Sequence, residues 1–191
     1  MQMQIFRRGV LGLMALGLTL SMLAILGCGG GDDNEVQRQA NLQGANERAA
    51  NNAPNPVNTP GSGTAVLTIN DDQTEIGFVV TYTGLNNVTQ AHIHVGSADV
   101  AGPIVLFYCT NIGGAPAGTV GGQACPQGSS VTVTGTLKAQ DLIPRAATPT
   151  TPEASTFDQV IALLLNGTTY SNVHTQTNPS GEIRAQNLPP T

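Results

Sequence analysis

The chain has 191 residues, with 7 Lys and Arg against 12 Asp and Glu for a net charge of −5. Nucleic-acid binding requires a basic footprint that so acidic a chain lacks, which excludes nucleic acid as a partner. No Ser-His-Asp series, phosphate-cradling glycine loop or carboxylate pair stands out, so the sequence offers no reaction and reads as non-enzymatic.

In chain order, Arg7 and Arg8 precede an uncharged apolar run over residues 10–26, which ends Ile25-Leu26-Gly27-Cys28. A basic start, an apolar stretch and small residues at the cut are the marks of an export signal. Cysteine directly after Leu-Gly resembles a bacterial lipobox, which implies a signal peptide over residues 1–27 and lipidation of Cys28. The alternative is an uncleaved anchor, since the run nearly spans a bilayer. Either way the protein is held outside the cytoplasm at a bacterial membrane. Residue 29 is Gly and not Asp, so no inner-membrane retention signal stands there, and in a diderm the outer membrane or cell surface is expected. Loss of residues 1–27 removes two basic and no acidic residues, leaving five against twelve and a charge of −7. Residues 28–62 are rich in Asn, Gly, Pro, Gln and Ala, and read as the lipidated cysteine followed by a disordered tether of roughly 30 Å r.m.s. span.

A folded domain is expected over residues 63–188, with 189–191 as a tail. Ala65, Leu67 and Ile69 alternate with Thr64, Val66 and Thr68 as a first strand, and Ile76, Phe78, Val80 and Tyr82 line one side of a second, joined as a hairpin. A strand over 90–95, an apolar run over 104–108 and a strict alternation over 131–137 follow. Cys109 and Cys125 enclose a loop full of Gly, Ala and Pro, and in an exported domain the default is a disulfide. One helix is predicted over 156–166, from a capping box at Ser155 and Asp158, apolar spacing at Val160, Ile161, Leu164 and Leu165, and a C-terminal cap at Gly167. The last two strands make a hairpin, for which a five-residue connection over 177–181 would oppose His174 to Arg184 and Asn172 to Gln186.

All three histidines lie in strand-like segments, Ala91-His92-Ile93-His94-Val95-Gly96 and Asn172-Val173-His174-Thr175, with Glu182-Ile183-Arg184-Ala185-Gln186 after the second. Those segments, together with Leu-Lys-Ala-Gln-Asp-Leu ending at residue 142 and an Asn-Gly-Thr-x-Tyr at 166–170, resemble the CHRD (chordin) domain over roughly residues 63–188. The resemblance implies an immunoglobulin-like, antiparallel Greek-key β-barrel or sandwich, distantly similar to copper-zinc superoxide dismutase, and for bacterial members no assigned activity. Ala185 departs from the family's usual glycine. The animal relatives imply a protein partner, by analogy only.

If Ile93, Val173 and Ile183 face a core, then His92, His94, Asn172, His174, Glu182, Arg184 and Gln186 share the outer face of one sheet, within reach of a ligand. Two histidines at i and i+2 point the same way, and His174 from another strand completes three imidazoles suited to copper or zinc. Glu182 would then hold a ring N–H from behind. His-x-His also resembles a copper-ligand strand of superoxide dismutase, but there is no bridging histidine, zinc loop or fourth histidine, which argues against dismutase chemistry. The competing reading is a polar face that merely bonds to itself, with Arg184 paired to Glu182. The expected function is a membrane-tethered, non-catalytic binding module of unknown partner. The alternative is a copper or zinc protein for metal storage, delivery or redox protection.

Overall fold

The computed structural model describes residues 34–191. The expected signal peptide and lipobox, with Cys28, lie outside the described residues. Among those described, no helix is long and apolar enough to cross a membrane.

Eight antiparallel strands form one sheet that curls into a nearly closed barrel. They are β1 (Val36–Gln43), β2 (Ser62–Ile69), β3 (Ile76–Thr83), β4 (Val88–Val95), β5 (Ile104–Thr110), β6 (Ser130–Leu137), β7 (Thr169–Thr175) and β8 (Ile183–Gln186), in spatial order β5-β4-β7-β8-β1-β2-β3-β6. The expected alternation decides which residues enter the core. Ala65, Leu67 and Ile69 of β2, Ile76, Phe78, Val80 and Tyr82 of β3, and Ile93, Val173 and Ile183 of the histidine-bearing sheet all point inward and are buried.

Strands β5 and β6 end the ladder and face each other across a seam. The side chain of Gln123 closes it, its Nε2 donating to the Tyr108 carbonyl of β5 at 3.0 Å and the Thr134 carbonyl of β6 at 3.2 Å. The expected disulfide is present between Cys109 and Cys125, and ties the loop carrying Gln123 to β5.

The tether reading is corrected by β1. Residues 36–43 form a full strand between β2 and β8, with Ala40 and Leu42 in the core. Their neighbours Gln37, Gln39, Asn41 and Gln43 are polar, so the strand buries one thin stripe of small side chains, and two flanking ladders supply the rest of its stabilisation. Arg38 shares the inward face at the barrel's end, where its Nε and Nη2 donate to the carbonyls of Leu164 and Leu165. These are terminal carbonyls of the helix, which have no partner within the helix itself, and the cation also complements the negative end of its dipole.

That helix, α1 (Phe157–Leu165), presents Phe157, Val160, Ile161 and Leu164 to the core. Its cap differs by one residue from expectation. The Thr156 hydroxyl accepts from Gln159 N, and Gln159 Oε1 accepts from the amides of Thr156 and Ser155, so the box is Thr156–Gln159. Gly167, at φ +68°, ends the helix as predicted.

The last hairpin is also corrected. Asn172 pairs with Arg184 and Tyr170 with Gln186, two positions from the expected register. The Asn178 carbonyl draws in the amides of both Thr175 and Gly181, which makes the connection longer than five residues and ends the β7–β8 pairing at Val173 and Ile183. A shift of two leaves every side chain on its predicted face, because the strand period is two.

Candidate metal centre

His92 and His94 project from β4 and His174 from β7, all on the face away from the barrel core. One ring nitrogen from each lies within 4.8 Å of the others. The ring centroids of His92 and His174 are 4.5 Å apart, and those of His92 and His94 4.7 Å.

The face is covered over His92 and His94 while His174 is half-buried, which corrects the expectation that solvent and ligands reach it freely. His92 is 0% and His94 7% exposed. Residues 44–60, read from sequence as tether, fold back across the sheet. Asn46 Nδ2 donates to the Arg184 carbonyl, Asn52 Oδ1 accepts from the Ala101 amide, and Arg48 pairs with Asp99 of the loop after β4. Phe107 of β5 packs edge-on against His92, and Tyr170 stacks on His94 with centroids 4.6 Å apart.

Two carbonyls set the tautomers of two histidines. Nδ1 of His94 lies 2.8 Å from the Gly102 carbonyl, and Nδ1 of His174 lies 3.0 Å from that of Pro179. A carbonyl oxygen only accepts, so each Nδ1 carries the proton and each Nε2 keeps a lone pair. Neither Nε2 has a partner, nor does either nitrogen of His92. Burial, first of all, depresses the basicity of all three rings; repulsion from neighbouring histidines adds to it at His92 and His94, and the Arg184 cation adds to it at His94 and His174. His94 is pushed down to about 3, and His92 and His174 also fall below the usual 6.5. At neutral pH all three are uncharged, the form in which imidazole binds a metal.

The surrounding polar residues divide by role. Arg184 donates through Nε to Glu47 Oε2 at 3.0 Å, with both side chains buried, and through Nη1 to the carbonyls of Ala98 and Val100. Its guanidinium lies 4.6 Å above the Tyr170 ring. Burial raises the Glu47 carboxyl to about 7 against the opposing pull of Arg184. Gln186 holds backbone groups of Gly96, Ala98, Gly167 and Thr169 and faces no ring. Glu182 departs from its expected role. It accepts from the hydroxyls of Thr59 and Thr175, and the ring N–H groups are held by main-chain carbonyls. The expected pairing of Arg184 with Glu182 is likewise replaced by pairing with Glu47.

Seven buried side-chain nitrogen and oxygen atoms among the described residues have no hydrogen-bond partner. They belong to His92, His94, His174, Asn172 and Glu47 alone. A buried unpaired polar atom costs about 1–3 kcal/mol, so native proteins keep few, and a cluster of this kind marks a place built for something else. A polar face that only satisfied itself would not leave these atoms open.

A family model describing the CHRD domain matches residues 38–187, which takes in β1 and runs to the end of β8. The chain belongs to the CHRD family. Its start at residue 38 agrees with the strand at 36–43 and places the beginning of the CHRD domain well before residue 63. No curated protein and no solved structure gives a match. Membership in the CHRD family suggests a binding module.

Sequence reading missed Glu47, Tyr170 and Gly102 as parts of this centre. Gly102 sits so close to β4 that a Cβ there would fall 1.8 Å from the Val95 carbonyl, so only glycine lets its own carbonyl reach His94. One available signal was Arg184, an arginine at an alternating position of a short strand, which requires a buried carboxylate from elsewhere in the chain.

Proposed function

We propose that this CHRD domain binds one copper ion through His92, His94 and His174, and that lipid on Cys28 holds it at the outer side of a bacterial membrane. The observation carrying the reading is the convergence of three neutral, unpartnered imidazole nitrogens, two with their tautomer fixed by a carbonyl behind the ring. That is the donor set and outer-shell support of a transition-metal site. Imidazole suits both zinc and copper, and the general affinity order favours copper. The centre lies beneath covering segments, which fits a small ion better than a protein partner. Storage or delivery of the ion is the role this reading assigns to the centre.

The test is metal analysis of the purified mature chain after copper loading and desalting, repeated with zinc in competition and with His94→Ala. Near one copper per chain, lost in His94→Ala, is the expected result. A metal-free protein whose melting temperature copper leaves unchanged would overturn the reading and leave a binding module for a protein partner. Cys28→Ser, expected to lose lipid labelling and membrane association together, checks the anchor.

A further inference from the structure

Asn172 stands directly across from His92 in the β4–β7 ladder and two residues before His174, on the same outward face. Directly opposed residues on one face lie about 5 Å apart at Cβ, so its amide adjoins two of the three imidazoles. It is 1% exposed, yet neither Oδ1 nor Nδ2 has a hydrogen-bond partner. A buried primary amide with both ends open is costly, and threonine or valine at this strand position would avoid the cost. Its two ends face different surroundings. Nδ2 adjoins Glu47: Asn172 is among the groups that hold the Glu47 carboxyl down against the effect of burial, and the point where a Cβ on Gly181 would fall is 2.7 Å from Asn172 Nδ2 and 2.8 Å from Glu47 Oε1. Glu47 Oε1 is itself without a partner, while its Oε2 is taken by Arg184.

We propose that Asn172 is the fourth ligand of the metal centre, its Oδ1 on the ion and its Nδ2 steadied by Glu47. This rests on the three-histidine reading and adds a neutral oxygen donor to it. Settling Nδ2–H on Glu47 Oε1 fixes which end of the amide turns to the ion, as the Gly102 and Pro179 carbonyls do for His94 and His174. Arg184 anchors Glu47 in turn. With this ligand the seven open atoms all find a use, except one nitrogen of His92. The donor set becomes three imidazoles and one amide oxygen, which closes a four-coordinate site of the storage kind and leaves no position for substrate.

The experiment is cobalt(II) and copper(II) titration of the mature chain, wild type against Asn172→Ala and Asn172→Asp, read by visible absorption and dissociation constant, with azide added to each. Melting of the metal-free proteins serves as the folding control. The expected result is a wild type that binds one ion and is unmoved by azide. Asn172→Ala should bind roughly tenfold more weakly, with an altered cobalt spectrum that azide changes further. Asn172→Asp, which keeps the shape but lacks the N–H that Glu47 steadies, should change both the affinity and the cobalt spectrum. Binding of the same strength and spectrum in Asn172→Ala, or an azide response in the wild type equal to the variant's, would overturn Asn172 while leaving the three histidines in place. If Asn172→Ala fails the folding control, Asn172→Asp with unchanged affinity and spectrum overturns the proposal by itself. A wild type that binds neither ion removes the histidine reading, and this inference with it.

Discussion

Acid should destabilise the metal-free domain through His94, and the size of the effect can be worked out. The ring is buried, and its pKa is pushed from 6.5 down to about 3. Between those values the unfolded chain binds a proton that the folded protein refuses, so stability falls as pH falls. At about 1.4 kcal/mol per pH unit below pH 6.5, the loss from pH 7 to pH 5 is about 2 kcal/mol for this one group. His92 and His174, also depressed by burial, push the same way. Glu47 opposes them. Its pKa is raised from 4.5 to about 7, so the folded protein holds a proton that the unfolded chain releases, and acidification across the same window stabilises by a similar about 2 kcal/mol. The wild-type profile therefore mixes the two signs, and the variants separate them. Urea denaturation in chelator at pH 7, 6 and 5 should show His94→Gln losing about 2 kcal/mol less than wild type on acidification, and Glu47→Gln losing about 2 kcal/mol more. Stability profiles parallel to wild type in both variants would refute the burial argument.

Two further outcomes follow from the fold. Deleting residues 34–43 along with everything before them should abolish cooperative unfolding, because it leaves β8 and β2 without the strand that joins them and α1 without Arg38; a sharp thermal transition in the shortened protein would show the segment to be dispensable. Gly102→Ala should cost about 3 kcal/mol through its clash with the Val95 carbonyl, and should weaken copper binding beyond that by freeing His94 Nδ1; chemical denaturation and copper titration of the same sample separate the two effects.

What sequence revealed and what it hid divide along the range of the contacts. Strands such as β2, β3 and β6 bury one face of β-branched and aromatic residues, so alternation alone marks them. The helix is legible because its capping and spacing signals lie within a dozen residues, although the capping pair proved to be Thr156 and Gln159. Strand β1 escapes because its inward side chains are Arg38, Ala40 and Leu42, too small or too polar to stand out from an Asn- and Gln-rich stretch. The alternation is present, but its reward comes from neighbours more than twenty residues away. Convergence of the three histidines could be read from strand parity, which a register error of two does not disturb. The burial of His92 and His94 could not, because the cover depends on pairs such as Arg184 with Glu47 and Ala101 with Asn52, separated by most of the chain or by a third of the domain.

The way Gln123 spans the gap between β5 and β6 bears on how this protein behaves beside other copies of itself. Two terminal strands with free main-chain groups would invite another chain to add itself to the ladder. Here the β5 rim is occupied along its length. The Gln123 carbonyl receives the Thr110 amide, its amide group satisfies Tyr108, the Ile143 amide takes the Val105 carbonyl, and Arg145 takes that of Ile104. Copies of the domain are thereby shielded from fusing edge to edge, and the Gln123 amide bridges β5 and β6 where direct strand pairing would have closed the barrel.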